Sequence, residues 1–216
     1  MKAVVFDFNG TLFKDQPKHV QAWSAVSMML RQIPITEKEL KEDLNGKRNA
    51  QILEYLKGEP LDFEESERLS RLKEEYYRRF CLEDEPGLRL TEGAEELFDR
   101  LKEQGIPMTI ASASIWENIA FFIQTFGLDR WFDPAKIVWD DGSYADKKAM
   151  IEQCAKILKT EPADLTVFED SAEGIRCAIA AGCRDVRVIN SNGIPLEQLQ
   201  HPAITRICRD MTEIEL

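Results

Sequence analysis

Short apolar runs alternate with helical segments along most of the chain. The first run, Ala3-Val4-Val5-Phe6, shows no polar alternation and is rich in β-branched and aromatic residues, which predicts a buried strand. Similar runs predict strands at 108–111, 137–139, 165–168 and 186–189. The intervening segments predict helices at 92–104, 116–126, 148–158 and before Gly182. Strands that alternate with helices in this way indicate βα units and a parallel sheet, so the predicted fold class is α/β.

The segment from about Pro17 to Phe80 has a different pattern, because it is dense in charge and its apolar residues recur every three or four positions. The apolar stripes are Ala22, Val26, Met29 and Leu30; Ile52, Leu53 and Leu56; and Leu69, Leu72, Tyr76 and Phe80. Breaks at Pro34, Gly46 and 58–60 divide the segment into about four helices without a strand. We therefore expect a core of residues 1–13 and 86–216, with a helical domain of residues 14–85 inserted after the first strand.

The composition narrows the classes of function. The 216 residues carry a formal net charge of −11, which makes nucleic acid and anionic membranes poor partners. No apolar segment approaches the ~20 residues that span a bilayer, and the first apolar run ends at Asp7, too early for a signal peptide. The five cysteines lack CxxC spacing, and with only two histidines they argue against a zinc site. We expect buried, reduced thiols and a cytoplasmic protein.

Candidate chemical groups follow the predicted strands. Asp7 follows the first strand, Ser112 the second and the pair Glu169-Asp170 the fourth, while Lys147 precedes a helix. Each alone has an ordinary explanation as a turn residue, a helix N-cap or an exposed lysine. In an open parallel sheet, however, ligands bind beyond the carboxyl ends of the strands. The four positions together therefore predict one shared site.

These groups suit phosphoryl transfer. An aspartate such as Asp7 can attack phosphorus and form an aspartyl-phosphate, which splits one difficult step into two. The carboxylates of Asp7 and Asp170 suit Mg²⁺, which allows two anions to approach each other. Thr11, Ser112, loop amides and Lys147 can supply hydrogen-bond donors and positive charge to the phosphate oxygens.

Four segments of the chain resemble the motifs of the haloacid dehalogenase-like hydrolases. They are FDFNGTLF, TIASAS, Lys147 and VFEDSAEGIRCAIAAG, of which the last is the most specific match. The helical insertion resembles the four-helix cap of the family, so the resemblance covers the whole chain. Within the cap, KHVQAW and LNGKRNAQIL resemble the hinge and the specificity loop of the β-phosphoglucomutase-like branch of phosphatases. The resemblance implies a Rossmann-like core with an inserted cap that opens and closes over the site.

The same resemblance implies a role for each matching residue. Asp7 would be the nucleophile and a Mg²⁺ ligand, Asn9 would give its backbone carbonyl to the metal, and Asp170 would complete the protein ligands. Glu169 would support the outer shell of the metal. The residues that would hold the phosphate are Thr11, Ser112, Ala113 and Lys147. Lys148 is an alternative to Lys147, because the chain departs from the common Lys-Pro-x-Pro form, although the start of a helix favours Lys147.

In the cap, the resemblance implies that the specificity loop reaches the substrate through Gly46, Lys47, Arg48 and Asn49. Lys47 and Arg48 fit a solvated helix start equally well, and His19, which matches a hinge position, can instead pack or cap a helix. A compact cap indicates a small phosphorylated metabolite, such as a sugar phosphate, as the substrate. An inserted cap covers the site without a second subunit, so we expect a monomer.

Asn9 departs from the family's phosphatases, in which the residue two positions after the nucleophile is an acid that protonates the leaving group. An amide cannot transfer a proton. Three explanations are open: a phosphatase for good leaving groups or with another acid, a weak or non-catalytic protein that binds a phosphorylated ligand, and a copy in which an aspartate was replaced. A 2-haloacid dehalogenase is a further alternative, because these members of the family also lack the acid, but the pair Glu169-Asp170 disfavours it, since a metal-binding pair has no use in displacing a halide.

Overall fold

The computed structural model describes residues 1–44, 47–191 and 193–215. The chain forms two compact units, one made of Met1–Lys14 with Arg89–Leu216 and the other of Asp15–Leu88. The first unit holds the sheet, and the second is helical in its described part. Among the described residues, no helix is long and apolar enough to cross a membrane.

A sheet of six parallel strands, in the order β3-β2-β1-β4-β5-β6, forms the centre of the first unit. The strands are β1 (Ala3–Phe6), β2 (Met108–Ser112), β3 (Val138–Trp139), β4 (Leu165–Glu169), β5 (Asp185–Ile189) and β6 (Ile204–Cys208). Phe6, the last residue of β1, pairs with Ile110 of β2 and Phe168 of β4. The predicted parallel α/β sheet is confirmed, and the carboxyl ends of β2, β1 and β4 lie side by side.

The helical unit contains α1 (Gln16–Arg31), a short α2 (Glu37–Glu39) that continues as a π-helical turn (Leu40–Leu44), α3 (Asn49–Lys57) and α4 (Phe63–Leu82). Its apolar core includes Trp23, Val26, Leu53 and Leu69. The predicted face of α4 is partly wrong, because Tyr76 and Phe80 are only half-buried. The face that is buried instead consists of Leu69, Lys73, Glu74, Tyr77 and Cys81.

The two charged residues on this buried face are tolerated because they neutralise each other. The Lys73 ammonium donates to Glu74 Oε1 at 2.8 Å and lies 5.3 Å from the centre of the Trp23 ring. A pattern based on apolar residues alone does not detect a buried ion pair of this kind.

The helices that flank the sheet are α5 (Ala94–Glu103), α6 (Trp116–Phe126), α7 (Lys147–Ile157) and α8 (Ala172–Ala180). Successive residues of β1 face opposite sides, so Val5 packs in an aliphatic cluster and Phe6 in an aromatic one, where its ring stacks on Phe168 at 4.8 Å. These packed faces hold the strand ends in fixed positions beneath the loops that carry the site.

Strand β6 is absent from the sequence-based prediction. Its residues Thr205, Arg206 and Ile207 are exposed, as is usual for a strand at the edge of a sheet, so no buried apolar run marks it. All five cysteines lie in the described part of the chain and are buried and unpaired, as predicted.

Candidate active site

The loop after β1 holds Asp7 at the centre of the sheet edge. The Asp7 N–H donates to the carbonyl of Phe168 at 2.9 Å, and the Gly10 N–H donates to the carbonyl of Phe13 at 2.7 Å, which closes the loop. Gly10 has φ +83°, and a Cβ at this position would collide with the carboxylate of Asp170. Only glycine allows both this backbone conformation and the close approach of Asp170.

Three buried carboxyl groups meet beyond the ends of β1 and β4. Oxygen atoms of Asp7, Glu169 and Asp170 all lie within 4.8 Å of one another. The Thr11 hydroxyl donates to Asp170 Oδ1 at 3.2 Å. The structure thus brings together all the carboxylates that the sequence predicted for the metal.

The carboxylate of Glu169 is fixed by the start of α8. Its Oε2 atom accepts hydrogen bonds from the N–H of Asp170 at 3.1 Å and from the hydroxyl of Ser171 at 3.1 Å. It also packs against Gly174, where a Cβ would collide with it. These contacts fix the carboxylate of Glu169 at the start of α8.

Lys147 supplies the positive charge of the cluster. It is the first residue of α7, whose N-cap Asp146 accepts from the N–H of Ala149 at 2.9 Å. The Lys147 ammonium donates to Asp7 Oδ1 and lies 3.3 Å from Glu169 Oε1. The neighbouring Lys148 instead pairs with Glu152 at 2.6 Å. Of the two candidate lysines, the structure brings only Lys147 to the acids.

The electrostatics of the cluster favour a cation. Burial raises the pKa of Asp7 to about 7 against the opposing effect of Lys147. Burial and the neighbouring carboxylates of Asp7 and Glu169 raise the pKa of Asp170 to about 9. Burial alone would lower the pKa of Lys147, but the carboxylates of Asp7 and Glu169 raise it above its ordinary value. If all three carboxyl groups were ionised, their charge would exceed that of the Lys147 ammonium, and a buried all-oxygen donor set of this kind suits Mg²⁺.

Asn9 is held by the loop that follows β2. The Ser114 hydroxyl donates to Asn9 Oδ1 at 2.8 Å, and the buried Ser112 hydroxyl donates to the same atom at 3.3 Å. The Ser114 N–H in turn donates to Ser112 Oγ at 3.2 Å. Ala113 is exposed in the turn between the two serines. Sequence reasoning missed Ser114, although the repeated serine of ASAS was a signal that could have identified it.

Two further hydroxyl groups fix the backbone of the loop after β1. Ser191, which follows β5, donates to the carbonyl of Gly10 at 2.8 Å. Thr91 donates to the carbonyl of Thr11 at 2.7 Å. Neither residue was predicted, because both lie in loops without a distinctive motif.

The candidate residues of the helical unit are placed within that unit. Lys47 and Arg48 are exposed before α3, and Gly46 lies outside the described residues. The Asn49 amide donates to Glu74 Oε1 at 3.0 Å. His19 lies on α1, with Nδ1 2.9 Å from the Lys73 ammonium. Asn49 and His19 are therefore tied into the internal contacts of the unit.

Comparison with known proteins gives the family. A model described as "haloacid dehalogenase-like hydrolase" matches residues 1–182. The chain belongs to this family of hydrolases. The family predicted from the sequence is thereby confirmed.

Similar proteins cover both units of this haloacid dehalogenase-like hydrolase. The crystal structure of a HAD hydrolase, family IA, variant 3, from Entamoeba histolytica HM-1:IMSS is 33% identical, with a TM-score of 0.92 over 100% of this chain and 96% of that one. Protein CbbY of Rhodobacter capsulatus is 29% identical over 195 residues, which are 86% of this chain and 84% of that protein. Validoxylamine A 7'-phosphate phosphatase of Streptomyces hygroscopicus subsp. limoneus is 24% identical over 186 residues, 84% of this chain and 82% of that protein.

Proposed function

We propose that this haloacid dehalogenase-like hydrolase is a Mg²⁺-dependent phosphatase that hydrolyses a small phosphorylated metabolite through an aspartyl-phosphate on Asp7. The observation that carries the proposal is the contact of the Asp7 carboxylate with the Lys147 ammonium inside the cluster formed with Glu169 and Asp170. A relative named as a phosphatase of a phosphorylated small molecule supports this choice of reaction.

The proposed chemistry has two steps at phosphorus. An oxygen of Asp7 attacks the phosphorus atom, the bond to the ester oxygen breaks, and the organic group departs with the bonding electron pair. Water then attacks the phosphorus of the aspartyl-phosphate, which releases phosphate and restores the Asp7 carboxylate. Lys147 neutralises part of the charge as the two anions meet, and donors from Thr11, Ser112 and the Ala113 N–H bind the phosphate oxygens.

The cluster fits Mg²⁺, which Asp7, Asp170 and the backbone carbonyl of Asn9 would hold, with Glu169 supporting them from outside. When bound, the ion would offset the charge of the phosphate and of the carboxylates. Because the four groups come from the ends of two neighbouring strands, β1 and β4, their arrangement depends on the packing of those strand ends.

Asn9 determines which esters are good substrates. Its side-chain oxygen accepts from Ser112 and Ser114, and an amide can donate a hydrogen bond to a departing oxygen but cannot give it a proton. We therefore propose that the enzyme acts best on phosphorylated compounds whose leaving groups are weak bases, such as acyl and aryl phosphates.

We further propose that the helical unit, about residues 14–85, serves as the cap. Lys47 and Arg48 are exposed in the described structure and would add positive charge next to a phosphorylated substrate. Replacing both by alanine should then raise KM more than it lowers kcat. Acetyl phosphate, which has little organic surface, should be affected least.

Release of phosphate from acetyl phosphate, p-nitrophenyl phosphate and glycerol phosphate, with Mg²⁺ and with a chelator, tests the proposal. We expect Mg²⁺-dependent release in that order of decreasing rate, and none from Asp7→Asn. Chloride release from a 2-haloacid without metal would instead identify a dehalogenase. Mg²⁺-dependent binding of phosphate without hydrolysis of any ester would identify a binding protein.

A further inference from the structure

Two tryptophans form an aromatic corner at the edge of the candidate site. Trp116 is the first residue of α6 and is 41% exposed, and Trp139 ends β3 and is half-buried. Their ring centres are 5.7 Å apart and their planes are tilted by 48°. We call these two residues the indole pair. Trp116 is the more exposed of the two, so part of its surface is open to solvent.

The indole pair is joined to the loop that holds Asn9. Trp139 pairs with Ser112 in the register of β2 and β3. Trp116 follows Ser114 by two residues, and the N–H of Asp140 donates to the carbonyl of Ser114 at 3.1 Å. The indole pair thus lies next to Ser112 and Ser114, the serines that hold Asn9.

The chemistry of the indole pair indicates which ligands it would bind. An indole face attracts another ring, either a flat aromatic ring or the C–H face of a sugar, and has no charge with which to hold a second phosphate. Asp140 and Asp141 directly follow Trp139 and would repel a second dianion. A monophosphate whose organic part carries a ring therefore fits the indole pair better than a bisphosphate does.

We propose that the indole pair is a specificity subsite, which selects phosphate monoesters whose organic part presents a ring face to Trp116. The inference rests on the proposed phosphatase function and names the class of its substrate. The ring lies on the exposed surface of Trp116, with its edge toward Trp139, while the phosphate is held at Asp7 and Lys147.

The test compares three esters of primary alcohols that carry no ring, a sugar ring or an aromatic ring, and compares each ester between variants of the protein. Glycerol 3-phosphate has no ring, glucose 6-phosphate has a sugar ring, and pyridoxine phosphate has a flat aromatic ring. Dissociation constants in the presence of Mg²⁺ are measured by calorimetry, and KM is measured by phosphate release. For Trp116→Ala we expect the ring esters to bind about 2- to 10-fold more weakly, and glycerol 3-phosphate to be unaffected.

Trp131 offers a matched control, because its indole lines a groove with Pro107 and Met108 at the opposite end of β2. Trp131→Ala should leave all three affinities unchanged, and Trp116→Phe should restore most of the ring preference. The relative loss for the two ring esters tells whether a sugar or an aromatic ring is the better fit. Equal weakening of all three esters, or no weakening, would overturn the inference.

Acetyl phosphate separates this inference from the function on which it rests. If acetyl phosphate is hydrolysed but Trp116→Ala changes no ring preference, the phosphatase function stands and the subsite fails. If no ester is hydrolysed but the ring esters bind in a Trp116-dependent way, the subsite stands and the phosphatase function fails.

Discussion

The Ser114 hydroxyl donates a 2.8 Å hydrogen bond to the side-chain oxygen of Asn9. This contact joins the loop after β1 to the loop after β2 and fixes the position of the Asn9 side chain. Asn9 is thus held through its side chain, and the resemblance to the family's phosphatases implies that an acid at this position would protonate the leaving group. The effect of Asn9 on turnover can be measured by substituting this residue.

Asn9→Asp should raise turnover on substrates with poor leaving groups. The new carboxyl group can protonate the departing oxygen, and general acid catalysis contributes roughly 10²- to 10⁴-fold. We expect kcat for glycerol phosphate to rise by about 10²-fold or more, while kcat for p-nitrophenyl phosphate changes little. A fall for both substrates would show that the site depends on the amide.

Ser114→Ala should lower turnover by releasing the Asn9 side chain. A hydrogen bond of this kind contributes about 1 kcal/mol, so we expect a decrease of about fivefold in kcat for p-nitrophenyl phosphate. Ser114→Thr, which keeps the hydroxyl, should retain most of the activity. Ser143→Ala is the control, because Ser143 bonds only with Asp141 among the described residues, in an exposed turn. An equal loss in both alanine variants would contradict a specific role for Ser114.

Gly10→Ala should disable the proposed metal site because the new methyl group displaces the carboxylate of Asp170. Gly142→Ala is a matched control: Gly142 has φ +80°, close to the +83° of Gly10, but no atom lies within 4 Å of its Cβ position. Both variants should lose about 1–2 kcal/mol of stability from backbone strain. Only Gly10→Ala should need at least tenfold more Mg²⁺ for half-maximal activity. An equal Mg²⁺ requirement in the two variants would be evidence against a metal-binding role for the Asp170 carboxylate beside Gly10.

Lys147→Ala should abolish measurable turnover and destabilise the fold. Removal of the ammonium leaves buried carboxylates without their partner. Breaking a buried ion pair in this way lowers the free energy of unfolding by about 3 kcal/mol. Lys148→Ala removes a neighbouring lysine from an exposed pair with Glu152 and should be close to wild type. Chemical denaturation and phosphate release measure the two effects. Comparable losses of stability and activity in the two variants would contradict a specific role for Lys147 in the site.

Much of the first unit follows from local patterns. Helix α6 spans the predicted residues 116–126. Strand β1 spans the predicted Ala3–Phe6, because an uninterrupted apolar run has few alternatives to burial. The grouping of Asp7, Lys147, Glu169 and Asp170 follows from a general property of parallel sheets, whose strand ends share one edge.

The remainder depends on contacts that a local pattern does not contain. Strand β6 forms through its pairing with β5. The buried face of α4 can include Lys73 and Glu74 because the two side chains form an ion pair. Ser191 supports Gly10 across 181 positions of the chain. Such long-range hydrogen bonds are visible only once the chain is folded.

The central claim is that Asp7 becomes phosphorylated, and mass spectrometry tests it most directly. The protein is mixed with Mg²⁺ and acetyl phosphate, quenched in acid within the first turnover, and digested into peptides. We predict that the peptide with Asp7 gains the mass of one phosphoryl group, that the gain disappears with time, and that Asp7→Asn shows none. Rapid release of phosphate without a modified Asp7 peptide at any time would contradict the account.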